Sequence, residues 1–191
     1  MPTTLFYGPM KCGKSRSLIR AYHAHLERDP AHFFLYSFGP DYIRTRAEED
    51  DIPAIVLSDD TSLVRMMTDV IHALQGGELV ICFFDEVQFS TPLFPEICRE
   101  LSNLGAYIYL AGLDTDFRRE LFPPMQQLME EAEHVHQFHS ECDQCGEPSS
   151  FTQRLLDGQP VTEGELVVLD SVHGGENDYT YETRCERCYV S

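Results

Sequence analysis

Residues 3–15 read TTLFYGPMKCGKS, and the fold is decided there. Thr3 to Tyr7 form an apolar run of the length of a buried strand, and a glycine-bounded turn then leads into a helical period. The eight residues Gly8, Pro9, Met10, Lys11, Cys12, Gly13, Lys14 and Ser15 match the phosphate-loop pattern G-x-x-x-x-G-K-[ST]. In that pattern the backbone N–H groups of the loop and the positive end of the following helix converge on an anion. Lys14 is expected on the β- and γ-phosphates of a nucleotide and the Ser15 hydroxyl on Mg²⁺. A chance lysine in a glycine-rich turn would not come with a strand before it and a helix after it.

Moving outward, Leu18, Ile19, Tyr22 and Leu26 recur at helical spacing and predict a helix over residues 15–27. Residues 32–38 (HFFLYSF) read as a second strand, 61–74 as a helix, 79–84 (LVICFF) as a third strand, 92–103 as a helix and 106–111 as a fourth strand. Residues 125–132 are expected to be helical. Short apolar strands alternating with helices predict an α/β fold, a parallel sheet covered on both faces. Residues 39–53 (GPDYIRTRAEEDDIP) are polar and charged, so a loop is expected.

The third strand ends in Asp85-Glu86. An acid at the end of that strand suits the second acidic motif of phosphate-loop proteins, holding Mg²⁺ through water. Glu86, beside the metal on the side of the sheet where strand C-termini place reactive groups, is the candidate general base. It would accept a proton from an alcohol in a kinase or from water in an ATPase. The residues so far do not separate those two reactions.

Composition narrows the partners. A formal net charge of −18, from 14 Lys+Arg against 32 Asp+Glu, would repel a phosphate backbone and argues against a nucleic-acid partner. No run approaches the roughly 20 apolar residues of a membrane span. The N-terminal residues enter the motif without a signal-peptide pattern, so a cytoplasmic location and no membrane partner are expected.

Of seven cysteines, Cys142 with Cys145 and Cys185 with Cys188 form two C-x-x-C pairs. In a reducing compartment such pairs point to metal. Four thiolates complete a closed tetrahedral structural Zn²⁺ site, and the long gap between the pairs makes the intervening chain a loop tied at its base. His134, His136 and His139 precede the first pair and are expected at the surface or the core edge, since the thiolates already fill the site. The texture changes near Phe138, giving an expected division into residues 1–138, an ATP-binding α/β domain, and 139–191, a zinc-binding domain.

Several stretches, in order along nearly the whole chain, resemble the type II thymidine kinases: GPMKCGKS at 8–15, DEVQF at 85–89, GLDTDFRRELF at 112–122, LMEEAEH at 128–134, CDQCGEPSSFTQRL at 142–155 and YETRCERCY at 181–189. The resemblance implies a RecA-like phosphate-loop domain with a small C-terminal zinc-binding lasso domain, MgATP and thymidine as ligands, and a homotetramer. It implies ATP:thymidine 5′-phosphotransfer, with thymidine or deoxyuridine as acceptor. By position, Glu86 resembles the catalytic base, and Lys14, Ser15 and Asp85 the ATP and Mg²⁺ groups. Arg118 and Arg46 resemble the arginines near the phosphates. Met10, Phe89, Leu113, Phe117 and Phe122 match pocket-lining positions, and Thr152 and Tyr181 those carried by the lasso.

Four departures stand out, one being Phe151 where a tyrosine is common. Arg44-Thr-Arg46 replaces the family's Asp-x-Arg, Lys11-Cys12 replaces a frequent Phe-Ser, and a longer stretch after Gly174-Gly175 leaves Tyr179 or Tyr181 as the lasso tyrosine. On the residues alone, the rival reading is a phosphate-loop ATPase whose zinc ribbon contacts a macromolecule. A zinc-ribbon nucleic-acid binder would need a basic surface that this composition lacks.

Overall fold

The computed structural model describes residues 2–44, 51–164, 166 and 179–191. β1 (Thr3–Tyr7) passes through the 8–13 turn into α1 (Lys14–Arg28), and β2 (Ala31–Ser37) follows. The short strands β3 (Tyr42–Ile43), β4 (Ile52–Pro53) and β5 (Ile55–Val56) precede α2 (Asp60–Gln75) and β6 (Leu79–Asp85). After a 3-10 turn at Val87–Phe89 come α3 (Phe94–Asn103), β7 (Tyr107–Gly112), α4 (Pro123–Glu131) and β8 (His134–Gln137). The C-terminal part is antiparallel. β9 (Ser140–Glu141) pairs with β10 (Pro148–Ser149), and β11 (Phe151–Leu156) lies between β12 (Gln159–Val161) and β13 (Tyr179–Arg184).

Among the described residues the main sheet has six strands in the order β5-β2-β6-β7-β1-β8, and every pair in it is parallel. The expected α/β fold is therefore present. Strand side chains alternate between the faces, and both faces are buried. Phe6, Ile81 and Phe83 pack with Leu18 and Ile19 of α1. Leu5, Val80, Cys82, Phe84, Ile108 and Leu110 pack on the other face with Leu63, Met66 and Val70 of α2, Leu101 of α3 and Leu128 of α4. Hence β6 reads as a continuous apolar run without period, as a strand covered on both sides must. α2 starts at a capping box, with Asp59 accepting from Ser62 N at 2.8 Å, which satisfies an N–H that the first turn leaves without a helical partner.

Four strands escaped the sequence. The ends of the expected 39–53 loop pair as an antiparallel ribbon, Ile43 opposite Ile52, because both isoleucines pack beside α1. β5 is only two residues long and pairs with the end of β2. β8 is an exposed edge strand, His-Val-His-Gln, paired along β1, so it carries no apolar period, and His136 lies at the core edge against the Phe6 ring at 5.5 Å. No helix among the described residues is long and apolar enough to cross a membrane.

Phe83 is buried between α1 and the neighbouring strands, with its ring stacked on Tyr109 at 5.1 Å. Phe83→Ala should destabilise the protein by about 3–5 kcal/mol in urea unfolding. Leu26→Ala, at an exposed position on the outer side of α1, should change stability by less than about 1 kcal/mol.

Candidate functional site

The turn between β1 and α1 is built as an anion cradle. Gly13 adopts φ 97° at the N-cap of α1, a left-handed conformation that glycine takes without steric cost. Gly8 has φ 146°, and a side chain there would meet Phe138 O at 2.3 Å, so the loop can pass this backbone only as glycine. Lys11 stands at the tip with φ 62°. Lys14 Nζ donates to Pro9 O at 2.7 Å, which curls the ammonium over the loop where an anion's oxygens would replace that carbonyl.

Sheet order brings the acidic pair to this loop. Ser15 Oγ donates to Asp85 Oδ1 at 3.2 Å, and the Glu86 N–H donates to the same oxygen at 3.0 Å. Burial, with the Glu86 charge beside it, pushes the Asp85 carboxyl up to about 7, against the pull of Ser15 and Lys14. A divalent cation there would hold it ionised, and a hydroxyl with a carboxylate is the donor set that Mg²⁺ takes from phosphate-loop proteins. Glu86 has φ 57° and ψ 35°, a left-handed kink that turns the chain sharply at the strand end. Its Oε2 accepts from Gln88 Nε2 at 2.5 Å, and Gln88 Oε1 accepts from Leu113 N at 3.0 Å. The carboxylate is thereby fixed between the ends of β6 and β7.

Glu86 also faces a cavity of about 910 Å³. Its wall includes Met10, Phe89, Leu113, Phe117, Phe122, Thr152 and Tyr181, which is every residue assigned to the nucleoside from the resemblance. They arrive from the phosphate loop, the 3-10 turn, the segment after β7, and β11 and β13. Phe89 and Phe122 meet edge to face at 5.9 Å, and Met10 N donates to Thr152 Oγ1 at 3.2 Å. Of the two candidate tyrosines, Tyr181 lines the cavity, whereas Tyr179 begins β13 opposite Leu156. Arg118 lies outside this wall, with its guanidinium paired to Asp116 at 2.8 Å and Glu120 at 3.1 Å. Arg46 and the Gly174-Gly175 pair lie outside the described residues.

The thiols of Cys142, Cys145, Cys185 and Cys188 converge, with all four Sγ atoms within 4.8 Å of one another. The Cys145 and Cys185 sulfurs are 3.6 Å apart, close to the roughly 3.8 Å that tetrahedral geometry gives sulfurs about 2.3 Å from zinc. The cluster fits a structural zinc. Asp143, inside the first pair, joins it to the rest. Its Oδ2 accepts from Thr183 N at 2.7 Å and from Lys11 Nζ of the phosphate loop at 3.0 Å.

A family model described as thymidine kinase matches residues 1–189. The chain belongs to the thymidine kinase family. Among solved structures, the chain is similar to the cytoplasmic domain of the Thermomonospora curvata type VII secretion ATPase EccC, at 16% identity and a TM-score of 0.49. That alignment covers 74% of this chain and 20% of the EccC chain.

In this thymidine kinase family member, further residues that the motifs did not single out shape the site. Gln88 was legible only as a polar residue within DEVQF, and its two hydrogen bonds explain why it is buried. Asp116 is buried and organises the turn that presents Phe117, accepting from Arg118 N at 2.8 Å and Glu120 N at 2.9 Å. Arg119 forms a two-pronged pair with Glu186, at 2.8 and 3.1 Å, and lies 3.8 Å over the Phe151 ring. It ties the same turn to the second cysteine pair.

Two outcomes follow for the site. The folded pKa of Asp85 lies above that of an unfolded aspartate, so its contribution to stability is full below pH about 4 and is lost as pH rises towards 7. In Mg²⁺-free buffer at pH 8, Asp85→Asn should therefore stabilise the protein by on the order of 2–4 kcal/mol, seen as a raised Tm, while weakening MgATP binding. Cys185→Ser should lower bound zinc well below one per chain by metal analysis and reduce Tm by several degrees, because metal binding free energy is folding free energy at such sites.

Proposed function

We propose that the protein transfers the γ-phosphate of MgATP to the 5′-hydroxyl of thymidine, with deoxyuridine as a second acceptor. The observation that carries this reading is that adjacent residues face two sites: Asp85 is bonded to Ser15 of the phosphate loop, and Glu86 borders the apolar cavity. An ATPase needs the first site and water. A cavity of about 910 Å³ walled by Met10, Phe117, Phe122 and Tyr181 suits a flat organic acceptor, since apolar and aromatic walls bury a base while a few polar groups orient it.

In the proposed reaction, the 5′-hydroxyl sits between Glu86 and the phosphate loop. Glu86 accepts its proton as the oxygen bonds to the γ-phosphorus, and the bond from that phosphorus to the β-phosphate oxygen breaks, leaving ADP. Lys14 and the loop N–H groups stabilise charge on the transferring group. Mg²⁺ would be held by Ser15 and Asp85 and would supply neutralisation of the phosphate charge. Gln88 holds Glu86 in the position from which it receives the proton. Arg46 and Arg118 are proposed to act near the phosphates, Arg118 after exchanging its pairs with Asp116 and Glu120. The zinc would order the segment between the cysteine pairs and take no part in the chemistry. A homotetramer in the cytoplasm belongs to the same proposal.

Glu86→Gln should bind thymidine within about threefold of the parent but lose on the order of 10²–10⁴ in kcat, the usual weight of general-base catalysis. Steady-state phosphoryl transfer together with calorimetric thymidine binding measures both. Turnover within tenfold of the parent would remove Glu86 from the role of base.

A further inference from the structure

Arg154 is 1% exposed, and a guanidinium is kept so deep only by directed contacts. Its Nε donates to the Tyr181 hydroxyl oxygen at 3.1 Å and its Nη2 to Leu166 O at 2.8 Å. The guanidinium carbon lies 3.7 Å from the centre of the Phe117 ring. These partners come from three separate segments: the turn after β7, the chain beyond β12, and β13, where Tyr181 stands directly opposite Arg154 in the β11 pairing. Each of these three lines the cavity, and Arg154 does not; the Tyr179 ring, outside the wall, lies 5.6 Å from the guanidinium carbon. Thr152 does line it, two residues earlier along β11.

We propose that Arg154 is a positioning residue for the acceptor pocket. One planar guanidinium sets Phe117, Tyr181 and the backbone at Leu166 at fixed separations, and so sets the width of the slot that grips a flat base. The inference rests on the nucleoside reading of this cavity. Lysine cannot reproduce the arrangement, because a single ammonium on a flexible stem offers neither a flat face for the ring nor a rigid fork of donors. Arginine here thus acts on specificity and affinity for the acceptor without touching it.

The test compares Arg154→Lys and Arg154→Met with the parent, full-length and zinc-loaded. Arg154→Lys should raise the thymidine KM at least tenfold, leave the ATP KM within twofold, and keep one zinc per chain. Hydrogen exchange in the protein without nucleoside should accelerate at least tenfold over residues 113–119 and 179–184, as the walls lose their common anchor. A thymidine KM within twofold of the parent, or equal rises in both KM values, overturns the proposal. Tyr181→Phe, which removes one oxygen only, guards against loss of folding in the arginine variants. Its effect on thymidine KM should largely vanish in the Arg154→Lys background, and independent, multiplying effects would contradict positioning through Tyr181. If the parent phosphorylates no nucleoside, the proposed function fails, while the exchange measurement still decides whether Arg154 holds these walls.

Discussion

The hydrogen bond from Ser15 Oγ to Asp85 Oδ1 joins the first turn of α1, which follows β1, to the end of β6, although β7 lies between β1 and β6 in the sheet. The bond needs the loop after β1 and the end of β6 to meet at the same edge of the sheet. The register supplies this: Tyr7 is paired with Gly112, and Phe84 with Leu110. The candidate phosphate and acidic groups meet at that edge. The phosphate loop follows β1, the acidic pair closes β6, and the segment carrying Leu113 and Phe117 leaves β7, so three consecutive strands feed one site. Ligands in open parallel sheets bind beyond the carboxyl ends of the strands for this reason.

A second constraint acts from the C-terminal part. The cysteine cluster is connected to the phosphate loop by Lys11 and Asp143, and to the turn after β7 by Arg119 and Glu186. The Tyr189 hydroxyl donates to Phe117 O at 2.6 Å. Single exposed ion pairs contribute little to stability. Here they fix orientation: the small antiparallel sheet is held so that Thr152 and Tyr181 complete a cavity begun by the larger one.

Much of this was legible in the sequence because its signals are local. Residues 8–15 state their own geometry, the apolar run ending in Asp85 states its burial, and the paired cysteines state their chemistry. What stayed hidden depends on contacts between distant segments. Gln88 gives no local sign that it will link Glu86 to Leu113 N, and Arg154 looks like an ordinary charged residue until strand pairing sets Tyr181 opposite it. β8 was invisible because an edge strand beside β1 needs no apolar face. The short ribbon of Tyr42–Ile43 with Ile52–Pro53 was masked by the charged residues between its arms.

In the proposed reaction the phosphate loop is coupled to an acceptor other than water. The most direct measurement incubates the protein with γ-labelled ATP, Mg²⁺ and each deoxynucleoside in turn, and separates the products. Label is expected in thymidine monophosphate, with slow release of inorganic phosphate when no nucleoside is present. Rapid phosphate release at a rate unchanged by any nucleoside would contradict it.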